Sequence, residues 1–414
     1  MQRMRECDII VLNILCRQAG GRAEVCFMKR IFLIVADSFG IGAAPDAADY
    51  GDEGADTLRT ICKSAEFSAE NLGKMGLFNI DKTGEMKKEP HQTAACARLC
   101  ELSKGKDTTT GHWEMAGIVG KNAFPVYPDG FPAEILSEFE KRTGKKILCN
   151  KPYSGTEVIR DYGEEHIRTG ALIVYTSADS VFQIAAHKNV VSVEELYGYC
   201  RTARKILTGK NAVARVIARP FDGEYPDFFR TAQRHDFSLE PPQNTMLDIL
   251  KENGFDVIGI GKIYDIFAGR GLTEHVFTKN NEEGMREIIK YAEKDFSGLC
   301  FLNLVDFDMK FGHRNDIDGY AKAIADFDRD LPKLIGRLGE DDVMFITADH
   351  GCDPGFAGTD HTREGVPLIV YGKKIRPVNL GTISGFNCIA KTVLSMFGVE
   401  NSLEAIELSN FLLK

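Results

Sequence analysis

The sequence predicts an α/β protein in which a parallel-rich sheet is flanked by helices and a smaller α/β domain is inserted. Short runs of β-branched and large apolar residues alternate with stretches whose apolar positions recur every three and four residues, the pattern of a sheet covered on both faces. Asp and His residues follow several of those runs directly, at the strand ends where open α/β sheets bind ligands. The alternation breaks between about residues 122 and 242, with metal-type residues on both sides of the break.

Taken in order, the chain begins with a stretch that fits no element. Ile9–Leu15 is apolar and follows Arg3 and Arg5, but Asp8 and Asn13 intrude and Ala19-Gly20-Gly21 is a poor cleavage site. Residues 1–27 are therefore expected to be an extension outside the fold, with Met28 as an alternative start. Strands are expected at Ile31–Ala36, Val257–Ile260, Leu299–Val305, Val343–Ala348 and Pro367–Tyr371. Helices are expected at Thr245–Asn253, stopped by Gly254, and at Met285–Lys294, Tyr320–Leu338 and Phe386–Phe397.

The middle of the chain reads differently. Phe124-Pro125-Val126-Tyr127-Pro128-Asp129-Gly130 is turn-rich, Leu172–Thr176 is one strong strand leading into Ser177-Ala178-Asp179, and Arg219–Pro226 reads as an exit linker. The expected organisation is a core of residues 28–121 and 243–414 with residues 122–242 inserted as a cap.

Whole-chain properties exclude several classes. A formal net charge of −9 argues against general nucleic-acid binding, which needs a basic face. It leaves anionic substrates open, because a metal ion and a few cations reverse the local sign. The 11 cysteines contain no CxxC pair, which points to reduced thiols and a cytoplasmic location rather than a disulfide framework. No apolar run approaches the roughly 18–20 residues of a membrane span.

The chemistry lies in a set of oxygen and imidazole donors. Asp37 closes the first strand. Asp306 and Asp308 close another and His313 follows; Asp349-His350-Gly351 closes a third, with Asp360-His361 shortly after. A lone Asp after a strand is ordinarily a turn residue or helix cap. Asp37, Asp308, His313, Asp349, His350 and His361 together form a donor set for hard or borderline cations. With Thr108 they make seven groups, enough for two ions about 3.5–4 Å apart clamping a phosphoryl transfer. Lys106-Asp107-Thr108-Thr109-Thr110-Gly111-His112 supplies hydroxyls that a metal can activate as nucleophiles. Cys352, beside Asp349-His350, is expected to be a small core residue. Gly40-Ile41-Gly42 is no dinucleotide fingerprint, since position 45 is Pro; these glycines are expected to let backbone pass close to the metal site.

Several longer stretches carry a resemblance. They are Arg30–Gly42, Gly105–Glu114, Tyr153-Ser154-Gly155-Thr156-Glu157-Val158-Ile159, Thr176-Ser177-Ala178-Asp179-Ser180-Val181, Asn303–Asp308 with Gly312-His313-Arg314, and Ala348–Pro354. On these the chain resembles the phosphopentomutase family of the alkaline phosphatase superfamily, across nearly everything after Met28. Asp-His-Gly is superfamily-wide; Lys-Asp-Thr-Thr-Thr-Gly-His-Trp-Glu and Thr-Ser-Ala-Asp-Ser-Val are far more specific.

The resemblance implies an alkaline-phosphatase-like core and an isomerase that interconverts ribose 1-phosphate, or deoxyribose 1-phosphate, with the 5-phosphate. It implies that Thr108 is the phosphorylated residue, that Asp308, His313 and His361 hold one manganese ion, and that Asp37, Asp349 and His350 hold the other, with Thr108 facing it. Asp179 matches a ribose contact, and Arg219 and Lys262 are candidates for the sugar phosphate. A sugar bisphosphate such as glucose 1,6-bisphosphate is the implied activator. Small sugar phosphates, rather than nucleic acid or membrane, are the implied partners. The rival readings are another dinuclear phosphomutase or a phosphomonoesterase of the superfamily. A phosphoglycerate mutase would carry Ser where this chain has the Thr108 loop. A non-enzymatic metal-binding module would need neither that hydroxyl nor a cap.

Overall fold

The structure is a computed structural model that describes residues 27–84, 86–177 and 179–414. Apart from Phe27, the expected extension lies outside the described residues. Packing is already under way at Met28, which is 3% exposed and donates its N–H to Met396 O at 2.8 Å.

Eight strands form the larger sheet, in the order β10 (Glu274–Val276), β9 (Asp256–Ile260), β11 (Gly298–Leu304), β1 (Arg30–Ala36), β12 (Asp342–Thr347), β13 (Val366–Tyr371), β2 (Ala95–Cys100) and β14 (Asn379–Ser384). The five strands from β10 to β12 are parallel, as continuous apolar runs require when both faces are covered. The helices Asn281–Ala292 and Met246–Glu252 pack on this parallel half. β13 runs antiparallel to both β12 and β2. The chain doubles back there because the segment before β13 contains no crossover helix and closes on itself through the Gly351–Thr362 bridge.

That reversal matters for function. β1, β11, β12 and β2 end at one edge of the sheet, and β13 begins at that same edge. Residues following the four strands and residues preceding β13 therefore converge.

A second, six-stranded sheet contains β3 (Ile147–Pro152), β4 (Leu172–Thr176), β5 (Val181–His187), β6 (Arg215–Asp222) and β7 (Phe229–Arg230), with β8 (His235–Ser238) also paired to β6. It has its own apolar clusters. One, around Phe139, Phe182 and Leu196, includes the helices Ala133–Thr143 and Val193–Ile206; the other places Val158 and Ile159 of the helix Glu157–Thr169 against Ile173, Ala185 and Phe221. We refer to this unit as the cap.

The cap corrects two expectations. It holds six strands where one strong strand was read, because β3 is only half-buried and the apolar runs of β5 and β6 are broken by Gln183, Arg219 and Pro220. The first half of the expected exit linker, Arg219–Asp222, is the end of β6. Pro220 is tolerated there because β8 pairs only with residues 215–218 and β7 only with 221–222, leaving a gap in the ladder where its missing donor is not needed.

The core sheet should be sensitive to volume loss at its centre. Leu302 is fully buried and lies between Ile34 and Ile260 in register. Leu302→Ala is expected to destabilise the protein by about 2–5 kcal/mol, read as a lowered denaturation midpoint at unchanged denaturant slope.

Candidate metal centre and reaction cleft

Each candidate ligand is delivered by the shared sheet edge. Asp37 follows β1, Asp308 and His313 lie just beyond β11, Asp349 and His350 follow β12, and His361 precedes β13. The structure brings all six together. His350 Nε2 lies 3.4 Å from Asp37 Oδ1 and 3.4 Å from Asp349 Oδ2. Asp308 stands between His361 and His313, with each Nε2 at 3.3 Å from a carboxylate oxygen. The His350 and His361 rings are 4.0 Å apart, so the two triads adjoin.

Among the described residues, donor atoms within 4.8 Å of one another define three overlapping groups: Asp37, Asp349 and His350; Asp308, His350 and His361; and Asp308, His313 and Cys352. The Cys352 thiol is pushed far above its ordinary range by burial, with the Asp308 carboxylate adding to the effect. It stays protonated and ill-suited to a hard cation, which leaves the oxygen and imidazole donors as the ligand set.

The electrostatics are those of a site built for positive charge. Burial and then Asp349 push the Asp37 carboxyl up. Burial opposes charge on Asp308 and Asp349 as well, but the imidazoles of His361 and His313 hold Asp308 well below the carboxylate range, and those of His350 and His112 hold Asp349 below it. His313 is driven to about 9, since its contact with Asp308 outweighs its burial. Among the described residues, Asp37 Oδ1, Asp308 Oδ1, Asp349 Oδ2 and His361 Nε2 are buried without a hydrogen-bond partner. Unpartnered buried acceptors of this kind are costly unless a cation satisfies them. Divalent ions fit this donor set.

Thr108 opens the helix Thr108–Met115, which is capped by Asp107 through the Thr110 N–H. Its Oγ1 lies 3.3 Å from His350 Nε2. The helix can come this close because Gly111 has no side chain: a Cβ there would sit 2.1 Å from Asp349 O. Arg363, fully buried, ties the Thr108 loop to the His361 segment by donating to Gly105 O at 2.7 Å, to Glu101, and to both Asp46 oxygens.

Two polar residues behind the ligands escaped the sequence reading. His112 Nδ1 lies 3.1 Å from Asp349 Oδ2 and 2.8 Å from Thr108 O, and its Nε2 is 3.2 Å from Asn303 Nδ2. Asn303 also donates to Asp37 Oδ2 at 3.1 Å. These contacts orient two candidate ligands and the Thr108 backbone together. Both residues lie inside stretches already singled out, His112 in the Thr108 motif and Asn303 at the end of β11, but their inward direction was not visible in one dimension.

Glu364 explains the glycines after Asp37. It accepts from Gly42 N, Thr57 N, Thr57 Oγ1 and Thr362 Oγ1, and a Cβ on Gly40 would fall 2.3 Å from its Oε2. Asp306 is turned away from the centre, accepting from Asn281 N at 3.0 Å and pairing with Lys310.

Between core and cap lies a cavity of about 700 Å3 whose walls include Thr108, Asp179, Arg215, Arg234, Lys262 and His361. Asp179 is brought to it from the cap, with Arg215 at 3.6 Å from its carboxylate, and acts electrostatically on His313. Lys262 reaches it from the end of β9 and acts on Asp37. Arg219 does not line it; its Nε donates to Gln183 Oε1 at 3.1 Å. Arg215 and Arg234, not singled out in the sequence, supply cations there.

A mixed α/β core with a metal-type donor set at one sheet edge defines a metalloenzyme, and the chain matches the family model of the Metalloenzyme superfamily over residues 29–401. It is 59% identical to a phosphopentomutase of Lachnoclostridium phytofermentans over 379 residues, covering 91% of this chain and 97% of that one. It is 55% identical to a phosphopentomutase of Acetivibrio thermocellus, covering 91% and 98%. A solved phosphoglycerate mutase of Leishmania mexicana aligns over 93% of this chain and 98% of that one, at 13% identity and a TM-score of 0.47. The chain belongs to the metalloenzyme superfamily and, within it, to the phosphopentomutase family.

Metal binding should depend steeply on pH. A ligand must shed its proton to bind, and His313 holds one up to about 9. Divalent-metal affinity is therefore expected to rise by up to about tenfold per pH unit between pH 7 and 9, the slope flattening towards pH 9. Calorimetric titration in buffers of different ionisation enthalpy should register the released proton.

Proposed function

We propose that this enzyme interconverts ribose 1-phosphate and ribose 5-phosphate, and the deoxyribose pair, with Thr108 as the phosphoryl carrier. The observation that carries this reading is the Thr108 hydroxyl standing 3.3 Å from His350 Nε2, beside buried carboxylates whose oxygens lack partners. Asp308, His313 and His361 would hold one divalent ion, manganese in this reading, and Asp37, Asp349 and His350 the other. Such ions supply positive charge for the transferring phosphoryl group and lower the pKa of the threonine hydroxyl.

The chain's own residues then do the following. Phosphorylated Thr108 gives its phosphoryl group to the free hydroxyl of a sugar monophosphate; the Thr108 Oγ1–P bond breaks and a sugar O–P bond forms. The resulting bisphosphate turns within the cavity and returns its other phosphoryl group to Thr108 Oγ1. Lys262, Arg215 and Arg234 balance the phosphate that is not reacting, and Asp179 accepts hydrogen bonds from sugar hydroxyls. The cap shelters the bisphosphate from water and from escape. A sugar bisphosphate of the glucose 1,6-bisphosphate class loads Thr108 initially. Among the described residues eight cysteines are free and no helix is long and apolar enough to cross a membrane; the free thiols suit a reducing compartment, and we place the enzyme in the cytoplasm.

Thr108→Ala is expected to lower mutase turnover by several orders of magnitude while the protein stays folded and metal-loaded. Substantial ribose 5-phosphate formation by that variant would remove Thr108 from the role and direct attention to Thr109 and Thr110. Release of inorganic phosphate without isomerisation by the unsubstituted enzyme would favour a phosphomonoesterase.

Asp179→Ala tests the sugar contact separately. Loss of a charged hydrogen bond costs about 1.5–3 kcal/mol, roughly one to two decades in rate. Pentose turnover should fall by that amount with metal content unchanged, since Asp179 lies outside the ligand set. Full kinetics on pentose phosphates in this variant would refute the contact.

A further inference from the structure

One stretch shared with the family, Tyr153–Ile159, has no part in the cleft described above. It leads into the helix Glu157–Thr169, whose Val158 and Ile159 cover the apolar half of one face of the cap sheet. The helix stops short of the other half. Past its N-terminus that face turns polar: Tyr175 on β4 is in register with Gln183 on β5, which faces Ile217 on β6, and Arg219 stands two residues further along. Arg230 on β7 pairs with Phe221 and so shares the face.

Arg219 donates to Gln183 and Arg234 to Asp236, but one donor gathered there lacks an acceptor. Tyr175 is 1% exposed, yet among the described residues its hydroxyl has no hydrogen-bond partner. It points at the helix start, since a Cβ on Gly155 would meet Tyr175 Oη at 3.0 Å and Arg230 Nη1 at 3.4 Å. The N–H groups of Gly155, Thr156 and Glu157 precede the first ladder bond, from Val158 N–H to Ser154 O, and Thr156 makes no side-chain cap. Burial pushes the Tyr175 phenol up, and the guanidiniums of Arg219, Arg230 and Arg234 pull against that shift, which places all three around it. Burial pushes the Arg219 guanidinium down, and the nearby charges of Arg234 and Arg230 add to that shift while Asp236 opposes it. A buried hydroxyl without an acceptor, a helix N-terminus and gathered guanidiniums share one missing partner, a multivalent oxyanion. Carboxylates are nearby, Asp236 on Arg234 and Asp161 on Tyr153, but neither accepts from the Tyr175 hydroxyl.

We propose that the cap carries a second oxyanion site, for a phosphate monoester group, formed by Tyr175, Arg219, Arg230 and the free amides at the start of the helix Glu157–Thr169. Gly155, Tyr175, Arg219 and Arg230 do not line the cleft cavity; Arg234 does, so the site adjoins the cleft without belonging to it. The choice of phosphate over other oxyanions rests on the function proposed above. Its source is either the outer phosphoryl group of a sugar phosphate reaching from the cleft or free inorganic phosphate.

The test is calorimetric titration of inorganic phosphate into the manganese-loaded enzyme and into Tyr175→Phe and Arg230→Gln. The full enzyme should show two classes of phosphate site, one at the metal centre and one on the cap. In each variant the cap class should weaken at least tenfold while the metal class stays. Tyr175→Phe removes a hydroxyl with no internal partner, so its melting temperature without phosphate should not fall. A rise in KM for ribose 5-phosphate in both variants assigns the site to the sugar phosphate; loss of a phosphate effect on rate at constant KM assigns it to free phosphate. A single phosphate class in the unsubstituted enzyme, two unaltered classes in both variants, or a marked drop in the Tyr175→Phe melting temperature would overturn the proposal. Failure of the mutase reading would look different: no ribose 5-phosphate formed, with both phosphate classes intact.

Discussion

Three buried carboxylates, Asp37, Asp308 and Asp349, crowd one edge of the core sheet, and the organisation of the site follows from the need to compensate them. Like charges so close and so deeply buried repel and cannot be solvated. The imidazoles of His313, His350 and His361 relieve part of this, and each is held against a carboxylate. Atoms left without partners show that the protein's own compensation is incomplete. The same deficit is what a divalent cation would satisfy.

The elements around that edge hold the donors still. Gly111 lets the helix of Thr108 lie against the Asp349 backbone, Arg363 fastens the loop before it, and Glu364 fastens the loop after Asp37. His112 and Asn303 join Asp37 and the Thr108 carbonyl in one hydrogen-bonded chain, with the His112 ring also 3.1 Å from Asp349 Oδ2. In the proposed function, a Thr108 hydroxyl placed this way has little freedom to lose when it reacts, which is how positioning lowers a barrier. The cap contributes a different chemistry, cations and one carboxylate facing the cleft from a separate sheet with separate apolar clusters. In the proposed function, metal chemistry and sugar recognition thus come from different parts of the chain.

Much of this was legible in one dimension. The parallel strands around Ile31–Ala36, Leu299–Leu304 and Val343–Thr347 were readable because a strand buried on both faces is a continuous apolar run with sharp ends. The ligands were readable because each follows or precedes such a run. The cap was read poorly for the converse reason. β3 is half-exposed, β7 has two residues, and Arg219 and Pro220 at the end of β6 read as a linker until the gap between β7 and β8 shows why a proline fits.

The sequence by itself determined the α/β class, the donor types and the Thr108 loop, because local periodicity and residue chemistry are carried by neighbours along the chain. Only the tertiary structure decided that β13 runs backwards, which brings His361 to the same edge as Asp308 and His350. It also decided that Arg215 and Arg234 rather than Arg219 face the cleft, and that His112 and Asn303 stand behind the ligands. Strand direction and side-chain facing depend on pairings between residues hundreds of positions apart, and those are settled when the sheet assembles.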